Sequence, residues 1–204
     1  MIKVMTPSDA KPITKGQIGK WYDVLADALT KSGLPSGPTQ QVLATQGADL
    51  ANKFVASLRG AVEAVSNMIV RTVTVDRTRS PQAVLDATGR RQYTDRTVVD
   101  AMPKGEGATA EVFFFRPGRY VSDADLDKEF DLRGLKPVDP YALAAVNEAD
   151  PAFANEHPNA THWKDDKGQW CYATFNRWDG GREVCVYRHD SDWHDSWWFV
   201  GVCK

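Results

Sequence analysis

The sequence predicts an α+β protein: an N-terminal helical hairpin, then a mixed unit ending in a Trp-rich antiparallel β-meander. Three observations predict it. Apolar residues in the first third recur at helical spacing. Near residue 67 the pattern changes to β-branched alternation. Six of the seven Trp, all four His and all three Cys lie within 157–204. The change of period divides the chain into a hairpin over 1–66 and an α+β domain over 67–204.

Thr14-x-x-Gln17 is a capping box, in which hydroxyl and carboxamide satisfy each other's backbone amides. Ile18, Trp21, Tyr22, Leu25 and Leu29 follow at helical spacing, and Gly33 and Pro35 end the helix. After Pro38 a second stripe runs Val42, Leu43, Leu50, Phe54, Leu58, Val62 and Val65, with Gly47 placed to split it. Met68–Asp76 alternates as a strand. Ser80-Pro81 opens a short helix that Gly89 closes. Glu111–Phe115 reads as a buried strand. Ser122 caps an acidic helix carrying Leu126 and Phe130, and Asp139-Pro140 and Asp150-Pro151 read as two further helix starts. In the tail, 169–176, 183–188 and 197–203 are aromatic or β-branched runs, and Asp179-Gly180-Gly181 is a hairpin turn in which both glycines can take positive φ.

With 204 residues, 42% apolar and 25% charged, the chain has globular composition, which excludes disorder and collagen. A net charge of −2 gives no overall attraction to nucleic acid or an anionic membrane. Charge is nevertheless segregated: 67–120 carries nine bases against six acids, and 121–150 three against eight. Met1–Pro7 lacks an apolar signal core, the longest apolar run is Tyr141–Val146, and Cys171, Cys185 and Cys203 are odd in number and far apart. These features predict a cytoplasmic protein with free thiols and no membrane association.

Several motifs fail their chemistry. Gly105-Glu-Gly107-Ala-Thr-Ala110 spells a dinucleotide fingerprint but precedes a strand, where that motif needs a helix. Asp123, Asp125 and Asp127 alternate like a calcium loop without its Gly and Glu, and read as acids in the first turn of a helix. His157, His162, His189 and His194 are surrounded by carboxylates, yet show no metal-ligand spacing and read as loop histidines. Neither a metal site nor a cofactor is predicted. A Cys171–His189 pair is the one nucleophile arrangement the sequence leaves open.

Two features point to binding. Arg77, Arg79, Arg90, Arg91 and Arg96 surround one short helix with Tyr93 among them, and guanidinium beside an aromatic ring can hold a phosphate and stack a base. Trp178 lies beside a turn, and Trp197 adjoins Trp198, so the two indoles point to opposite sides of a strand. The strings DRTRSPQAVLDATGRRQYTD (76–95), the stretch 118–165 and DSWWFVG (195–201) resemble a family of hypothetical proteins common in candidate-phylum bacterial genomes. That family has no assigned activity, so the resemblance implies a bacterial cytoplasmic protein and no site residue.

The expected function is non-enzymatic binding of nucleic acid or another phosphate-bearing ligand through Arg77, Arg79, Arg90, Arg91, Tyr93, Arg96, Trp178 and Trp197. The alternatives are a metal-dependent enzyme built on the His/Asp loops and a protein–protein interaction module. The sequence leaves self-association through the N-terminal helices undecided.

Overall fold

The computed structural model describes Thr6 and residues 13–204. The expectation for Met1–Pro7 falls, Thr6 apart, outside the described residues. The chain forms two compact units, a helical one ending at Ser66 and one holding Asn67–Lys204.

The first unit contains helix α1 (Lys15–Lys31) and helix α2 (Ser36–Ser66). The Thr14 capping box forms as expected: the Thr14 hydroxyl accepts from the Gln17 amide, and the Gln17 carboxamide accepts from the Thr14 amide. Gly33 takes φ 68°, a left-handed conformation that ends α1. The helices fold back so that Trp21 meets Phe54 edge-on, with centroids 5.8 Å apart. Gly47 does not split the second stripe; α2 runs unbroken through it.

The second unit is an α+β fold around one mixed eight-stranded sheet. Its strands are β1 (Met68–Thr74), β2 (Arg91–Thr94), β3 (Thr109–Phe115), β4 (Leu135–Pro137), β5 (Asn159–Lys164), β6 (Trp170–Trp178), β7 (Gly181–Arg188) and β8 (Trp198–Cys203). The order is β1-β3-β8-β5-β6-β7-β2, with β4 added alongside β8. The tail forms an antiparallel meander over β5, β6 and β7. β8 leaves it to lie between β3 and β5, parallel to β5, and β2 joins β7 in parallel.

Alternation along the strands divides the side chains between two faces. Ile69, Val112, Phe114, Cys171, Ala173, Phe175, Val184, Val186, Trp198 and Val200 form the main core. That face is covered by α3 (Pro81–Ala87), α4 (Arg96–Asp100), α6 (Pro140–Ala149) and α7 (Phe153–Glu156). The other face carries Phe113, Phe115 and Phe199, and α5 (Asp123–Leu132) covers it by packing Phe130 edge-on against Phe115 at 5.0 Å. α5 reaches only part of this face, and the β6–β7–β2 end extends beyond it.

Two local expectations change. Asp139 caps α6 as expected, but Asp150 stands at the C-terminal end of that helix, and α7 begins after Ala152 without a side-chain cap. In the Trp178–Gly181 turn the residues with positive φ are Asp179 and Gly180, at 45° and 78°. Asp-Gly at the centre of a two-residue loop is the type I′ geometry that matches strand twist, and Gly181 already belongs to β7.

Candidate functional site

The eight candidate binding residues do not form one patch. Arg77 is half of a largely buried ion pair, its Nη1 and Nη2 donating to Asp139 at 2.7 and 3.0 Å and its Nε to Gly107 O. Arg77 and Asp139 line a groove of about 700 Å³, so this guanidinium is already committed. Arg79 pairs with Glu148 and Asp76, and Arg96 with Asp100 on its own helix. Arg90 is buried and donates to Asn176 O, Pro151 O and Asn147 Oδ1. Burial, with Arg182 adding like charge, lowers its pKa to about 10. Trp197 is half-buried, edge-on to Trp193 at 6.0 Å. Arg77 and Arg90 are therefore held within the fold by a carboxylate and by backbone carbonyls, whereas Arg79 and Arg96 are paired at the surface.

Arg91, Tyr93 and Trp178, by contrast, share the open end of the second sheet face. Register places Arg91 beside Glu183 and Tyr93 beside Cys185, while across β6 and β7 Asn176 faces Glu183, Thr174 faces Cys185 and Tyr172 faces Tyr187. Successive rows of this face lie about 7 Å apart. Trp178 is 70% exposed, Tyr93 42% and Tyr187 37%. Tyr172 and Tyr187 lie with centroids 6.5 Å apart. Burial raises the Tyr172 phenol to about 12, which keeps it neutral and a hydrogen-bond donor.

Sequence reasoning missed two residues here. Arg177 stands directly opposite Arg182 on the strands flanking the Asp179-Gly180 turn. Both are exposed, and neither has an ion-pair partner among the described residues. Like charges in direct cross-strand register disfavour the pairing, so the position costs stability unless an anion is present. Arg177 and Arg182 continue the alternation of Phe175 and Val184, so they project at the sheet end on the helix-covered side, with Arg182 near the buried Arg90, whereas Trp178 and Arg91 project on the open side. The signal was available: a two-residue loop at 179–180 fixes 177 opposite 182.

The second site-like feature is a buried cluster at the edge of this face. Asp123, in the first turn of α5 behind its Ser122 cap, accepts from His162 Nδ1 at 2.8 Å, His189 Nδ1 at 2.6 Å and Trp193 Nε1 at 2.9 Å. His162 is buried on β5, stacked on Trp170 with centroids 4.6 Å apart and 7° between planes. Its Nε2 lies 3.1 Å from Asp127 Oδ1, at ion-pair distance but out of hydrogen-bond alignment. Burial alone would raise the Asp123 pKa, but the three donors outweigh it and hold the carboxyl well below the usual carboxylate range. Burial alone would lower His162, but Asp123 and Asp127 together raise it above its ordinary value.

Asp123 stands in the first turn of α5 as expected, but it also faces inward, and His162 lies on a strand, not in a loop. Asp123 lies on the same helix face as Leu126 and Phe130, at i, i+3 and i+7, so it turns inward with them. His162 alternates with Ala160 on a covered strand. The Cys171–His189 pair does not form: Cys171 points into the main core, whereas His189 Nδ1 is bound to Asp123 beneath α5. Among the described residues, no group of three or more His, Cys, Asp or Glu has the arrangement to hold a metal ion. All three cysteines are free, and no described helix is long and apolar enough to cross a membrane.

The cluster has a definite pH dependence. Asp123, lowered in the folded state, stabilises the protein above its unfolded pKa of about 4, and that contribution is lost as pH falls through the folded value. His162, raised in the folded state, contributes fully below about 6.5, and its share is lost as pH rises through its folded pKa. Stability measured by urea unfolding is expected to be highest between these limits and to decline on the alkaline side. In Asp127→Asn that decline shifts to lower pH, as measured by the His162 imidazole titration in NMR spectra. An unchanged His162 midpoint in the variant contradicts the assignment.

No family model matches the chain, and no curated protein or solved structure matches it.

Proposed function

We propose that the protein binds single-stranded nucleic acid, or a related phosphate-bearing ligand, on the open β6–β7–β2 face, and that it does so in the cytoplasm. One observation carries this reading: Arg91, Tyr93 and Trp178, three of the residues expected to bind, lie on one uncovered face. Exposed aromatic rings on a sheet supply stacking surfaces for bases, and each stacked base contributes about 1–3 kcal/mol. Arg91 supplies charge on this face, and a strand that continues past the turn end reaches Arg177 and Arg182 on the other side, which gain the counter-charge that their register lacks.

Fluorescence anisotropy with a labelled single-stranded oligonucleotide tests this. Affinity is expected to fall as salt rises, because phosphate contacts release counterions. Trp178→Ala and Tyr93→Ala are each expected to weaken binding roughly 5- to 100-fold while leaving the salt slope intact. Arg177→Gln/Arg182→Gln is expected to reduce the slope by about two. Absence of binding at low salt, or binding unaffected by all of these changes, removes the proposal.

A second reading, catalysis at the His/Asp loops, has one observation in its favour. The Asp123 contact orients His189 through Nδ1, and its Nε2 has no hydrogen-bond partner among the described residues, as the geometry of a general base requires. Turnover of a bound oligonucleotide that is abolished in His189→Gln with binding retained would favour it. Intact oligonucleotide after prolonged incubation would leave binding alone.

A further inference from the structure

The helical unit lacks a core of its own. Neither α1 nor α2 contains a buried residue. Of the nineteen large apolar side chains exposed among the described residues, fourteen lie within 13–65, including Ile18, Leu25, Leu29, Leu43 and Leu50. Trp21 against Phe54 is the ring contact recorded between the two helices. Apolar stripes at helical spacing hold a helix in place by being buried, and propensity alone does not sustain a hairpin of this kind in water.

We infer that this face is closed by a second copy of the chain, two hairpins joining as a four-helix bundle. Four observations select that occupant. First, the two helices do not cover these side chains for each other, since neither contains a buried residue. Second, their area suits a dimer: the fourteen side chains expose on the order of 1,000 Å², against about 800 Å² per partner in a stable interface. Third, charge selects against other occupants. Residues 15–66 carry five bases and four acids, and Lys31 and Lys53 are paired with Asp27 and Asp49 on their own helices. Such a surface has neither the Lys/Arg-rich polar face of a membrane-surface helix nor a field that selects an oppositely charged protein. Fourth, two identical near-neutral apolar faces meet without repulsion and close under two-fold symmetry, whereas two helices alone enclose no core. The dimer would also place two sheet units in one particle, so that a long polyanion could engage both. The dimer itself does not depend on what the sheet unit binds.

Size-exclusion chromatography with light scattering of the full chain is expected to give the mass of two copies at micromolar concentration. Leu25→Glu/Leu50→Glu is expected to give the mass of one, with the near-UV circular dichroism of the tail indoles retained. Because that variant could lose its helices altogether, the wild-type chain supplies a second readout: the thermal midpoint of its helical signal should rise with protein concentration. A wild-type monomer, a mass unchanged in the double variant, a midpoint independent of concentration, or a monomer that pellets with phosphatidylcholine vesicles would each overturn the inference.

Discussion

Replacing Asp123 by Ala is expected to cost about 3–5 kcal/mol of folding stability. The carboxylate is buried and receives two imidazole N–H groups and an indole N–H. Removing it leaves His162, already raised toward its charged form, buried with only the partly exposed Asp127 nearby. It also strips Trp193 of its acceptor, and an unpaired buried donor costs about 1–3 kcal/mol. These groups tie α5 to β5 and to the segment that joins β7 to β8, so α5 should loosen as a unit. Urea unfolding at pH 6 checks the magnitude. Asp123→Asn should recover only part of the loss, since a neutral amide retains an acceptor oxygen but not the charge. A cost below about 1 kcal/mol for Asp123→Ala would show that the cluster contributes little.

Asp139→Ala is expected to cost about 3 kcal/mol, the second largest effect. Its carboxylate has two tasks: Oδ1 accepts from the Ala142 amide at the start of α6, and both oxygens receive the Arg77 guanidinium. The cap is worth about 1 kcal/mol and the sheltered ion pair the rest. Gly105 passes so close that a Cβ there would lie 2.2 Å from Asp139 Oδ2, which is why the loop needs glycine as well as its φ of 63°. Arg77→Met combined with Asp139→Ala should lose less than the sum of the single changes, because the unpaired charge is removed with its partner. Strict additivity in thermal unfolding would contradict the pairing.

The local elements were largely legible because their signals are local. Capping residues, Pro at the first helical position and the Asp-Gly turn depend on neighbours within four residues, and Thr14, Ser80, Ser122 and Asp139 all act as read. Sheet order was not legible. That β8 inserts between β3 and β5, and that β2 runs parallel to β7, depends on pairings far apart in the chain. The same limit governs the candidate site. Arginine density in 77–96 marked a charged stretch, but the carboxylates that consume Arg77 and Arg79 lie near residues 139 and 148. Those partners come from the acidic 121–150 segment, so the charge segregation reflects internal pairing as much as a polarised surface. Arg177–Arg182 and Asp123 could have been found, the first from loop length and the second from its place on a helical stripe. His162 and His189 meet on Asp123 only through the fold.

On the proposed reading the ligand contacts the β6–β7–β2 face and no other surface. Ultraviolet cross-linking of the full chain to a single-stranded oligonucleotide carrying 5-bromouridine, followed by peptide mapping, tests it most directly. Adducts are expected at Tyr93 and Trp178, competed away by unlabelled strand and weakened by Arg177→Gln/Arg182→Gln. Adducts confined to the helices of the opposite face or to the N-terminal hairpin, or none at concentrations where anisotropy shows binding, would contradict it.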